Sequence, residues 1–169
     1  MDNTFIKNFE FQNQCFDEGL HFDATESLLK SNGLHLMDIV RPNKECDYVG
    51  IDAVIVFSNP TTKSVYTRKV DYKFRTGDYG KSDILLNMEK KGRPGWAHKN
   101  CKKQNDLIIN VNRKNRVACS IKSEEIWSVF DHLNKMPILE ANGGLQKNVA
   151  VKWKLCRQLF PSFTLVEGF

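Results

Sequence analysis

GIDAVIVFSNPTTKSVYTRKVDYKF, residues 50–74, decides the fold. Residues 47–57, DYVGIDAVIVF, are rich in β-branched and aromatic side chains and run into the turn signal NPTT, so they read as a strand. SVYTRKVDYKF, 64–74, reads as its antiparallel partner. Within it stand Asp71 and Lys73, two residues of poor β-propensity and high cost of burial. Side chains two apart on a strand share a face, so these two project together while Val70, Tyr72 and Phe74 turn to the core. A solvated ion pair explains most acid-x-lysine tripeptides; EKK, 89–91, is a second match and has no strand around it. Asp52, just ahead of the apolar run of the preceding strand, separates the two cases. A hairpin turning near Asn59 and Pro60 places Asp52 about seven residues before the turn and Asp71 about twelve after it, so their meeting at one sheet edge requires a bulge or a longer loop.

Outward from the hairpin, DLIINVN (106–112), the polar turn RKNR and VACSIK (117–122) form a second hairpin-like pair. Residues 75–105 between them are loop-rich, with one short apolar run, ILLNM, at 84–88, as a further strand candidate. DATESLLKSN, 23–32, sets Ala24, Leu28 and Leu29 on one helical stripe, with Gly33 as the stop; the phenylalanine-rich residues 5–22 extend that helix or form an arm. SEEIWSVFDHL, 123–133, predicts a helix with a serine cap position, acids in its first turn and Ile126, Trp127, Phe130 and Leu133 on one face. NVAVKWKLCRQLF, 148–160, fits strand or helix. The order predicts an α/β (α+β) fold with a mixed β-sheet flanked by helices. With 169 residues, 41% hydrophobic, no internal repeat and no low-complexity linker, the expectation is one domain over 1–169.

No stretch approaches the roughly 18 apolar residues that span a bilayer, and MDNTFIKNFEFQNQ lacks the layout of a secretion signal, so a soluble, cytoplasmic protein is expected. Five cysteines, odd in number and without a CxxC pair, fit neither a disulfide framework nor a zinc ribbon. His98 and Cys101 are the nearest approach to a ligand pair, short of the four ligands of a structural zinc site. Residues 1–47 carry nine acids against four bases, whereas 61–116 carry fifteen bases against five acids. A basic excess concentrated in one segment is either a solvated surface or the footprint of a phosphate-backbone partner.

Asp52, Asp71 and Lys73 on adjoining strands have a specific chemistry. Neighbouring carboxylates raise one another's pKa unless a divalent cation neutralises them. Mg²⁺ commonly takes one or two carboxylates plus water and phosphate oxygens, and a lysine beside it orients the attacking water and counters developing negative charge. These are the parts for phosphodiester hydrolysis.

A helix bearing an acid, then GID, then a strand carrying VDYK resembles the PD-(D/E)xK nuclease superfamily over roughly residues 18–112. The resemblance implies a restriction endonuclease-like core acting on DNA with Mg²⁺ or Mn²⁺. Position by position, Asp52 matches the first metal-binding acid, Asp71 the second and Lys73 the catalytic lysine. Glu26 is the first choice for the acid on the preceding helix, with Glu18 and Asp23 as alternatives; Ile51 stands where the family often has proline.

GRPGWAHKNCKKQNDLIINV, 92–111, is similar to phage and prophage members in which a Gly-Trp loop precedes a helix and another strand, and it implies a phage-encoded protein in a bacterial host, with Gln104 on the crossover helix. Arg75, Lys90, Lys91, Arg93, Lys99, Lys102 and Lys103, with Trp96 among them, suit a nucleic-acid groove in which cations track phosphate and a ring stacks on a base. The other reading of Trp96 is a core anchor after a Pro-Gly turn. Paired cuts on two strands suit a homodimer. Two rival readings stand beside the nuclease: a catalytically inactive relative acting as a nucleic-acid-binding or protein-inhibitor module, and an unrelated α/β domain with a surface ion pair. Whether Asp52 reaches Asp71 separates them.

Overall fold

A computed structural model describes residues 3–42, 50–75, 77, 82–101, 104–141 and 143–169. Two helices, α1 (Asn3–Asp17) and α2 (Leu20–Ser31), lead into β1 (His35–Val40), β2 (Ala53–Ser58) and β3 (Val65–Arg75). β4 (Asp83–Lys90) and β5 (Arg93–Pro94) follow, then the hairpin β6 (Leu107–Asn112) and β7 (Val117–Lys122). The chain ends with α3 (Ser123–Ser128), α4 (Phe130–Leu133), β8 (Ile138–Ala141), β9 (Gln146–Lys152), α5 (Trp153–Leu159) and β10 (Thr164–Glu167). The fold is mixed α/β, with one sheet in the order β1-β2-β3-β6-β7-β10 and a second in the order β5-β4-β9-β8. The first sheet is antiparallel except at its centre, where β3 and β6 run parallel.

Strand alternation gives the first sheet two different faces. Val70, Tyr72 and Phe74 of β3, Ala53, Ile55 and Phe57 of β2, and Ile109 and Val111 of β6 pack against Phe16, Leu20, Ala24, Leu28 and Leu29 of the helices. The Thr25 and Tyr72 hydroxyls, 2.6 Å apart, pin α2 to that face by a buried hydrogen bond. On the opposite face Ile108, Cys119 and Ile121 pack against Ile84, Leu86, Val149 and Val151 of the second sheet and against Ile126, Phe130, Leu133, Cys156 and Phe160. The result is a helical layer, a central sheet and a second sheet with short helices.

The 84–88 run is a strand, as expected, within an eight-residue β4 buried on both faces, so an apolar run rather than alternation marks it. Other expectations are corrected. The parallel pair β3 and β6 is joined through β4 and β5 of the second sheet, and the segment between β5 and β6 contains turns and no helix among its described residues. The predicted helix 123–133 breaks at Val129, with Ile126, Phe130 and Leu133 buried and Trp127 only partly so. Residues 148–160, open between strand and helix, are both: β9 hands over to α5 at Trp153. β1, β8 and β10 were not anticipated.

Candidate active site

β2 and β3 pair without a bulge from Ser58↔Val65 to Ala53↔Val70, and the Asp52 N–H continues the ladder to the Val70 carbonyl at 2.8 Å. That register sets Asp52 directly across from Asp71. It follows from the turn: Asn59 Oδ1 accepts the N–H groups of Thr61 and Thr62 at 2.9 and 3.2 Å, and Lys63 takes a left-handed φ of 59°. The loop is therefore centred between Thr61 and Thr62, two residues beyond the Asn-Pro pair, and no bulge is needed.

The two carboxyls meet. Asp52 accepts the Tyr72 N–H at 2.7 Å and shares a side-chain hydrogen bond with Asp71. Burial and the Asp71 charge outweigh Lys73 and the Tyr72 N–H, and push the Asp52 carboxyl up to about 6. Asp71 is 1% exposed and ion-paired with Lys73, whose side chain is 15% exposed. The Lys73 ammonium lies 5.9 Å from the centre of the Trp96 ring. Arg75, two residues on, shares the face and feels the Asp71 charge, which opposes the lowering of its pKa by burial.

Trp96 is held by its neighbours rather than by its own turn alone. Gly95 N–H and Ala97 N–H bond to the carbonyls of Met88 and Asn87 at 2.9 and 3.0 Å, and the Trp127 indole N–H donates to the Trp96 carbonyl at 3.1 Å. A Cβ at Gly95 would lie 2.2 Å from the Asn87 carbonyl oxygen, so only glycine lets the loop approach β4 this closely. At 8% exposure Trp96 is a core residue, the core anchor of the two readings rather than a stacking platform, with the Lys73 ammonium over its ring.

Glu26 is also corrected. It is exposed on α2, the helix that covers the Tyr72 face, and no group of three metal-ligating side chains occurs among the described residues, so it does not join Asp52 and Asp71. Of the alternatives, Glu18 pairs with Arg113 and Asp23 with Arg116 at 3.1 Å, both at the β6–β7 turn. Lys90, Lys91 and Arg93 are exposed at the tip of the β4–β5 hairpin. Lys99 is paired with Asp131 at 2.8 Å. Lys102 and Lys103 lie outside the described residues, and Gln104 is exposed on irregular chain. His98 Nδ1 accepts the Asn100 N–H at 3.0 Å, as in an ordinary turn.

Asn110 was missed. It is the β6 partner of Lys73 and lies on the same face, 7% exposed. A polar residue inside the apolar run LIINV was the available signal, but its meaning depends on β6 lying beside β3. No protein-family model, curated protein or solved structure matches this chain.

Proposed function

We propose that this chain is a divalent-metal-dependent nuclease of the PD-(D/E)xK type that hydrolyses phosphodiester bonds of DNA. The observation that carries this reading is the direct opposition of Asp52 and Asp71, with Lys73 ion-paired to Asp71. The donor set fits Mg²⁺ or Mn²⁺: two hard carboxylate groups touch, and one of them retains a proton to unusually high pH where a cation would replace it. Asp52 and Asp71 would hold the ion, which supplies Lewis acidity toward a phosphate oxygen and a more acidic bound water.

The chain's own residues prepare the rest. The Tyr72 N–H and the β2–β3 ladder fix Asp52, so the acid pair is set by backbone rather than by flexible side chains. Trp96 and Asp71 flank the Lys73 ammonium, whose positive charge would suit an attacking water and a phosphate bound at the acid pair. The meander β1-β2-β3 with β6 parallel to β3 and helices on one face is compatible with a restriction endonuclease-like core. Exposed bases at the β4–β5 tip suit a phosphate backbone.

The test is cleavage of mixed single-stranded, duplex and branched DNA with Mg²⁺, repeated with EDTA and with Lys73→Ala. Loss of cleavage in both controls is expected. Cleavage that survives both overturns the mechanism, and DNA binding without cleavage under any divalent ion selects the inactive binding module.

A further inference from the structure

Two buried donors on the face that carries Asp71 and Lys73 have no acceptor. Asn110 Nδ2 and Arg75 Nε are each shielded from solvent and without a hydrogen-bond partner. Buried N–H groups are almost always paired, so two orphans on one sheet face call for an explanation. Their placement is set by register: Asn110 stands beside Lys73 across the parallel β3–β6 pair, and Arg75 is diagonal to it, opposite Asn112. Ile109 and Val111 turn to the helical core, which puts Asn110 on the Asp71 face.

Both orphaned atoms are donors, and their residues stand on the sheet face that carries Asp71 and Lys73. An anionic oxygen is the acceptor that suits such donors, and Asn110 would meet it without adding a second buried charge. Asn112 is engaged differently, donating to the Gly77 carbonyl at 2.9 Å and accepting the Asn115 N–H at 3.0 Å.

We propose that Asn110 Nδ2 and Arg75 Nε donate to a non-bridging oxygen of the DNA phosphodiester seated at Asp52 and Asp71, so that β6 contributes a phosphate-binding residue to the site. This rests on the nuclease reading. Arg75 here contributes a directed N–H as well as charge, and Asn110 is a binding residue rather than an acid or base.

The experiment measures binding of a fluorescently labelled DNA duplex by anisotropy, with Ca²⁺ in place of Mg²⁺ to prevent cleavage, alongside the melting temperature of the free protein. Asn110→Leu keeps the size and removes the donor; Arg75→Lys keeps the charge and removes Nε–H. Each is expected to weaken DNA binding about tenfold, while Asn110→Leu melts no lower than wild type because an unpaired buried donor has gone. If Asn110→Leu melts lower and both variants bind DNA as tightly as wild type, Asn110 is a structural residue and the inference is overturned. Arg75→Lys decides the matter alone should Asn110→Leu not fold. Failure of the wild type itself to bind DNA removes the nuclease reading and this inference together, an outcome distinct from the preceding one.

Discussion

Asp52 and Asp71 face each other across the β2–β3 hairpin and share a side-chain hydrogen bond, with Asp52 also accepting the Tyr72 N–H at 2.7 Å. The Asp52 carboxyl titrates near 6, above its ordinary value of 3.8. The folded protein therefore binds more protons than the unfolded chain between those values, and the Asp52 contribution to stability falls as pH rises from about 4 through about 6. Asp52→Asn imitates the protonated acid at every pH. In metal-free buffer its stability relative to wild type is expected to increase across that window and to level off above it. Urea unfolding of both proteins between pH 4 and 7.5 measures this, and parallel curves would contradict it. With Ca²⁺ present, wild type gains melting temperature above pH 6 and Asp52→Asn does not.

Tyr72→Phe separates the strand's two jobs. Its N–H serves Asp52, whereas its hydroxyl bonds Thr25 Oγ1 at 2.6 Å in a part of the core where Thr25 is 1% exposed. Removing the hydroxyl strands the buried Thr25 oxygen and is expected to cost about 1–3 kcal/mol in denaturant unfolding. The backbone donor to Asp52 remains, so cleavage should stay within about threefold of wild type under conditions where the variant is folded, since the lost hydroxyl bond lies on the helical face and not at the acid pair.

Gly95→Ala tests the link between the loop and the lysine. The added methyl meets the Asn87 carbonyl at 2.2 Å, against backbone that cannot rotate away. Overpacking of this kind is expected to destabilise by about 1–3 kcal/mol. The forced shift of Trp96 also withdraws the ring from Lys73, so cleavage should fall more than stability alone explains, with a change in tryptophan fluorescence. Unchanged fluorescence together with unchanged cleavage would show that Trp96 does not position Lys73.

The hairpin that carries the site was legible because both strands are β-branched and aromatic and end at Asn-Pro. Its register was not, since Asn59 caps a longer loop through its side chain and shifts the centre of pairing by two residues. The second sheet was legible only in part: β4 showed as a short apolar run because it is buried on both faces, whereas β8 is mostly exposed and only four residues long and shows no period-two alternation. Asn110 and Glu26 mark the limit of local reading. Asn110 lies beside Lys73 on the acid-pair face only because β6 pairs with β3 across a long crossover, and Glu26 lies away from it because α2 packs on the other face. Both depend on tertiary neighbours that no local pattern encodes.

The β4–β5 tip gives the last prediction. Lys90, Lys91 and Arg93 are exposed there, close in sequence to the Trp96 loop but outside the core, so replacing all three with alanine should leave the melting temperature within a few degrees of wild type. If the tip tracks the DNA backbone, each lost phosphate contact lowers the slope of log Kd against log salt by about 0.9, and the triple variant is expected to lose about 2 to 3 in slope. Lys99 provides the comparison: it is already paired with Asp131 at 2.8 Å, and Lys99→Ala should change the slope by less than about 0.5. Anisotropy titrations of one duplex at several salt concentrations measure both. Equal slopes for wild type and the triple variant would place the DNA-binding surface elsewhere, with the exposed Lys63, Arg68 and Lys69 of the β2–β3 hairpin as the next basic surface to replace.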